Sequence, residues 1–238
     1  MLTGLFPVAI LAGGLATRSR PITEKIPKAL IEVAGKPFVY RQLDYLFRQG
    51  IAKVVVCVGY LGEQIETAIG DGRAFDLTVQ YSFDGPVLLG TGGALRRALP
   101  LLGERFFVLY GDSYLPCDFH AVQRAFLESG KPALMAVLRN EGRWDKSNVL
   151  MRDGRMVEYD KRFPRPEMAH IDYGLGILSA AVLETYSENR AFDLADVYHE
   201  LSLAGRLAGF EVSERFYEIG SPQGLKEAEA YFSAGGIV

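Results

Sequence analysis

Between positions 18 and 28 four cations, Arg18, Arg20, Lys25 and Lys28, stand against one anion, Glu24, and shortly before them the main chain passes through Ala12, Gly13 and Gly14. Glycine lets a backbone approach a ligand closely and turn N–H groups toward it. Arginine forks onto phosphate oxygens, and lysine adds a compact charge. The combination suits a polyphosphate, although a solvated basic turn is spelled in the same way. A second loop, 84–95, carries Gly90, Thr91, Gly92 and Gly93 into a helical pattern, where backbone amides are free to face a base, a ribose or a phosphate, or simply to be capped. Two carboxylates complete the set. Asp112 follows the apolar run 106–110 and Gly111, a common way of presenting a ligand for Mg2+, and Glu218 lies between apolar residues just before Gly220. Taken singly, they also fit a helix cap and a surface-facing strand residue.

These groups need a frame. Short β-rich runs alternate with amphipathic stretches through the first half, which is how a parallel sheet with crossover helices is written. Strands are predicted over 6–11, 53–58, 77–82 and 106–110, and helices over 37–49, 61–69, 93–102 and 119–129. After a strand at 133–138 the runs shorten around 149, 157 and 171–178, which predicts a mixed or antiparallel extension. Helices over 180–186, 194–204 and 222–232 and a strand at 209–212 complete the chain. In open α/β sheets ligands sit beyond the carboxyl ends of the strands, so the loops after Leu11, Ser82 and Tyr110 are expected to share one crevice.

The chain has 238 residues, 49% hydrophobic and 23% charged, enough to bury about 70–75% of its unfolded surface in one core. That composition excludes disordered, collagenous and low-complexity classes. A net charge of −3 provides no overall field for nucleic acid or an anionic membrane, so anion binding has to be local. Cys57 and Cys117 read as reduced thiols, no apolar run reaches membrane-span length, and the start lacks the basic segment of a signal peptide, so a cytoplasmic protein is expected. No repeat or flexible linker appears, and one domain, 1–238, is the simplest account. A homo-oligomer is compatible with this reading.

The stretches Leu11-Ala-Gly-Gly-Leu-Ala-Thr-Arg18, Pro27-Lys28-Ala-Leu30 and Gly35-Lys-Pro37 resemble the opening of sugar-1-phosphate nucleotidylyltransferases. Gly90-Thr-Gly-Gly-Ala-Leu95, Tyr110-Gly-Asp112, Asp160-Lys161, Asp172-Tyr-Gly174 and Glu218-Ile-Gly220 continue the likeness in the family's order. The resemblance implies a Rossmann-like α/β fold, a mixed, mostly parallel sheet flanked by helices, with a small antiparallel sugar-binding extension, the nucleotide-binding part covering about 1–115 and the sugar-binding part and C-terminal helices about 116–238. It implies that Leu11, Ala12, Gly13, Gly14, Thr17, Gly90, Thr91 and Gly111 bind the nucleotide, and that Arg18 and Lys28 act on the reacting phosphates. Asp112 and Glu218 would hold Mg2+, Lys161 would bind the phosphate of the sugar 1-phosphate, and Asn148, Asp160, Asp172 and Gly174 would surround the sugar.

Three departures stand out: Ala16 where glycine is usual, Ser19 where leucine is usual, and Glu218 where aspartate is usual. The implied reaction joins a nucleoside triphosphate to a sugar 1-phosphate and releases pyrophosphate. Its nucleophile arrives ionised, so no general base is needed, in keeping with motifs that contain none of His120, His170 and His199. The stretches Tyr81-Ser82, 143–148 and Tyr159-Asp-Lys161 are most similar to the heptose 1-phosphate guanylyltransferase branch, which implies GTP with a heptose or mannose-type sugar. A UTP-dependent enzyme for an N-acetylmuramate or hexose 1-phosphate, and a catalytically silent nucleotide-sugar sensor prompted by Ala16 and Ser19, are the alternatives. Neither G-x-G-x-x-G with its acidic partner nor G-x-x-x-x-G-K-[ST] occurs, against a dehydrogenase and a P-loop enzyme.

Overall fold

The computed structural model describes residues 4–14 and 25–236. The apolar runs form strands buried on both faces, the condition under which a strand reads as continuously hydrophobic instead of alternating. β1 (Val8–Leu11) is followed by a two-residue ladder of β2 (Glu32–Val33) and β3 (Lys36–Pro37), then α1 (Phe38–Arg48), β4 (Lys53–Val58), α2 (Gly62–Ile69), β5 (Thr78–Phe83), α3 (Gly90–Leu102) and β6 (Arg105–Tyr110). β6, β1, β4 and β5 lie side by side and parallel, so the loops after Leu11, Val58, Phe83 and Tyr110 open at one edge.

The second half is mixed, as the shortened runs predict. β7 (Ser113–Tyr114) and α4 (Phe119–Ser129) precede β8 (Ala133–Arg139), β9 (Val149–Arg152), β10 (Arg155–Tyr159) and β11 (His170–Ser179). β11 runs antiparallel to both β6 and β8, joining the two halves into one nine-stranded sheet. α5 (Ala180–Glu184), α6 (Leu194–Leu203), β12 (Leu207–Val212), β13 (Tyr217–Glu218) and α7 (Pro222–Ser233) follow. β12 pairs in parallel with β8.

Successive strand residues feed opposite cores. Val8, Ile10, Val54 and Val56 pack with α1, α4 and α7 through Leu43, Val122 and Phe232, whereas Ala9, Val55 and Cys57 pack with α3 and α6 through Leu95 and Val197. No helix among the described residues is long and apolar enough to cross a membrane.

α3 starts at Gly90, three residues before the predicted 93. Glycines are poor helix formers, and this start is capped from a distance: the Phe192 carbonyl accepts from Gly92 N at 3.0 Å and Gly93 N at 3.4 Å. The sequence reading also lacks β7 and β13. These pair antiparallel, Tyr217 opposite Tyr114 and Glu218 opposite Ser113, and ladders of two residues show no periodicity.

Candidate active site

At the shared strand edge the residues 11–14, Lys28, Asp84, Leu88, Gly90, Thr91 and 110–112 enclose a cavity of about 260 Å³. The main chain there continues the ladders past the strand ends, with Ala12 N donating to Cys57 O and Gly111 N to Leu11 O, both at 2.9 Å. The backbone that faces the cavity is therefore fixed on both sides. Asp84 was not singled out from the sequence, yet it is only 5% exposed and receives Leu89 N on Oδ2 at 3.1 Å. Burial pushes its carboxyl above the ordinary range, against the pull of the Leu89 amide and the Arg97 guanidinium. Its position directly after a parallel strand was the available signal.

The glycine-rich loop has a second employment. A Cβ on Gly92 would run into the Phe192 ring, and one on Gly93 would lie 2.6 Å from Arg190 O. Thr91 Oγ1 donates to Asp193 Oδ1 at 2.7 Å and accepts from Leu194 N at 2.8 Å. The glycines thus let α3 dock on the segment before α6. Gly90 and Thr91 still border the cavity.

Asp112 sits where this cavity meets another. Its Oδ2 accepts from Lys28 Nζ at 2.9 Å, its Oδ1 from Ser113 Oγ at 3.3 Å, and its main-chain oxygen from Ile219 N at 3.0 Å. The β7–β13 ladder brings Glu218 alongside. A Cβ on Gly220 would fall 2.8 Å from Glu218 Oε2, 3.1 Å from Lys28 Nζ and 3.2 Å from Asp112 Oδ2, so three charged groups converge on a space kept open by one missing methyl. Glu218 folds back onto the start of α7: Oε2 accepts from Ser221 N at 3.0 Å and from Gly220 N, and Oε1 accepts from Ser221 Oγ. Gly224 makes room for that longer arm, since a Cβ there would overlap the Glu218 carboxylate. Ser221 also caps α7 through Gly224 N at 2.9 Å, ahead of Pro222 in the first turn.

The second cavity, about 580 Å³, shares Tyr110 and Asp112 with the first and reaches Asn148, Lys161, Asp172, Gly174 and Glu218. Asn148 Oδ1 accepts from Asp172 N, and Asp172 Oδ1 accepts from Gly174 N, both at 2.9 Å. Burial pushes the Asp172 carboxyl up to about 6, opposed by the Gly174 amide and by Lys161. Trp144 and Arg215 also line this cavity. Arg215 is set 4.7 Å over Tyr217 and 5.8 Å over Trp144 and pairs with Glu227 at 2.5 Å. Arg215 is a single cation in a polar stretch with no motif around it, so nothing in the sequence marks it.

Asp160 borders neither cavity: its Oδ1 accepts from Arg162 N and Phe163 N at 2.8 Å, closing the turn that presents Lys161. Thr17 and Arg18 lie outside the described residues, as do Ala16 and Ser19. Among the described residues the one cluster of three potential metal-binding side chains, Glu158, Asp160 and His199, lines neither cavity, and Glu158 there is paired with Arg165. His170 faces Glu211 at 3.3 Å and His199 Nδ1 the Tyr159 carbonyl at 2.7 Å, leaving the histidines out of both cavities.

The chain is 42% identical over 113 residues to N-acetylmuramate alpha-1-phosphate uridylyltransferase of Neisseria meningitidis, a stretch covering 47% of this chain and 49% of that protein. It is 29% identical to D-glycero-alpha-D-manno-heptose 1-phosphate guanylyltransferase of Aneurinibacillus thermoaerophilus over 92% of this chain and 95% of that one. Among solved structures, HddC from Yersinia pseudotuberculosis superposes with a TM-score of 0.80 at 25% identity, covering 96% of this chain and all of that one, and it has also been determined with GMP-PN. The nucleotidyl transferase family model matches residues 8–145, which take in β1, the glycine-rich loop and Asp112. With more than half of its length matched and the loops that line the first cavity inside the match, the chain belongs to the nucleotidyl transferase family.

Proposed function

We propose that this chain transfers a nucleotidyl group from a nucleoside triphosphate to a sugar 1-phosphate, and that GTP and a heptose or mannose-type 1-phosphate are the substrates. The observation that carries the reading is the meeting of two cavities at Asp112, with Lys28 and Glu218 at the same point. The triphosphate occupies the cavity at the strand edge and the sugar 1-phosphate the other. A phosphate oxygen of the sugar attacks the α-phosphorus, the bond from that phosphorus to the β-phosphate oxygen breaks, and pyrophosphate leaves with the electron pair.

Two anions have to be brought together, so the work of the protein is alignment and neutralisation of charge. Lys28, next to Asp112, faces the triphosphate, Lys161 takes the phosphate of the sugar, and Arg18 supplies a further cation. Asn148, Asp172 and Gly174 address the sugar hydroxyls. The converging Asp112 and Glu218 oxygens suit a small hard divalent cation, and Mg2+ is assigned to them. Held by Asp112 and Glu218, such an ion would neutralise charge on the reacting phosphates and help to orient them. The substrates imply a cytoplasmic reaction.

Asp84 favours a base that turns two adjacent N–H donors toward the protein, as guanine does through N1 and N2 and uracil, with N3–H alone, does not, because a buried carboxylate offers acceptors only. Asp84→Asn is expected to reduce kcat/KM for GTP about tenfold while leaving UTP little changed, as one charged hydrogen bond is worth about 1.5–3 kcal/mol. Equal losses with both triphosphates would take Asp84 out of base selection. The direct test of the whole reading mixes each of four triphosphates with Mg2+ and a panel of sugar 1-phosphates and measures pyrophosphate. Release is expected with GTP and a heptose or mannose 1-phosphate. Release with UTP and N-acetylmuramate 1-phosphate would instead establish the uridylyl alternative, and no release with any pair would leave a binding protein.

The raised Asp172 carboxyl gives a pH dependence. As pH falls through about 6 the group takes up a proton and loses an acceptor for the sugar, so KM for the sugar 1-phosphate should rise while KM for the triphosphate does not. Asp172→Asn should remove that part of the profile, the phosphate's own ionisation being common to both proteins. A variant with an unchanged profile would assign the inflection elsewhere. The sign for stability is opposite: with the folded value above the unfolded one, the fold gains from this group as pH drops below 6.

A further inference from the structure

One buried side chain outside the residues already given a role reaches the turn that carries Asp112. Gln42 on α1 is 2% exposed, and its Nε2 donates to two main-chain oxygens, Tyr110 O at 3.0 Å and Ser113 O at 2.7 Å. Both amide hydrogens are used, and they bracket Gly111 and Asp112. Its Oε1 is fully buried and accepts no hydrogen bond. The reversed amide would set Oε1 against two carbonyl oxygens, so the orientation is fixed. An unpartnered buried acceptor costs about as much as such bonds return, so the arrangement contributes little to stability.

What it does contribute is location. Ser113 pairs with Glu218 in the β7–β13 ladder, and the Asp112 carbonyl receives Ile219 N. Fixing the Ser113 and Tyr110 carbonyls therefore fixes the turn that carries Asp112 and β7 after it, against which β13 holds Glu218. The helix behind them is rigidly seated, with Phe38, Val39, Leu43 and Leu46 buried. We propose that Gln42 is a positioning residue for the Asp112–Glu218 pair, holding the two carboxylates at the separation a divalent cation requires. This inference rests on the reading of that pair as cation ligands.

Gln42→Met keeps the volume and deletes both the two donors and the orphan acceptor. Its melting temperature is expected to equal or exceed that of the parent. Mn2+ binding, followed by the EPR signal of the free ion, should weaken about tenfold, and the Mg2+ concentration for half-maximal turnover should rise by a similar factor. KM for the sugar 1-phosphate should stay within about twofold, since no contact in that cavity is removed. Unchanged Mn2+ affinity would overturn the proposal, and so would a variant that melts well below the parent or fails to fold, because the amide would then be a stability element. Asp112→Asn, measured alongside, separates the two levels. If it binds Mn2+ like the parent, the cation reading falls and this inference with it; if it loses Mn2+ while Gln42→Met does not, only the inference falls.

Discussion

Asp112→Ala is expected to lower kcat at least about a hundredfold, equivalent to about 2.7 kcal/mol of barrier, because a metal contact at reacting phosphates is worth several kcal/mol. Asp112 borders both cavities, as Tyr110 does, and its carboxylate holds Lys28 Nζ at 2.9 Å. On the proposed assignment, removing it takes away a cation ligand, and it also frees Lys28, whose side chain is 14% exposed. Asp112→Asn separates these effects: the amide oxygen can still accept from Lys28, but the negative charge is gone. Both variants should show comparable losses in steady-state pyrophosphate release, with melting curves close to the parent. A near-normal rate in either, measured at saturating Mg2+, would remove Asp112 from the chemistry.

Lys161→Ala is expected to raise KM for the sugar 1-phosphate about 10–100-fold and to change KM for the triphosphate far less. A charge-assisted contact to phosphate is worth about 1.5–3 kcal/mol, and the lysine lines the cavity of Asn148 and Asp172 and not the one at the strand edge. Its presentation is rigid: Asp160 closes the turn with two 2.8 Å hydrogen bonds, and Asp160 N donates to Asn148 O at 2.9 Å. Initial rates with each substrate varied in turn provide the check. Parallel increases in both KM values would show that the two cavities do not divide the substrates in this way.

The parallel half of the fold was legible because β1, β4 and β6 are buried on both faces and read as unbroken apolar runs, as at Val54, Val55, Val56 and Cys57. The site was legible where a residue follows such a run directly, as Asp112 follows β6. The adjacency of Asp112 and Glu218 was not, because it is created by a two-residue ladder and by Gly220 and Gly224, whose function is to have no side chain. Asp160 shows the opposite limit. Its motif places it beside Lys161, and the Oδ1 of its carboxylate closes the local turn, a use that the motif does not spell. Glu218, longer by one methylene than the aspartate usual at its position, is accommodated by folding back onto the amides that open α7.

The docking of Gly92 and Gly93 onto Phe192 and Arg190 bears on how such a signature is retained through descent. Selection on mere foldability would preserve those glycines even in a lineage that had given up turnover, since any larger residue would pry apart the two halves of the molecule. Their persistence in a diverged relative is thus weak testimony to activity, whereas the fate of Gly220, whose vacancy serves only the converging charges, would be a sharper witness.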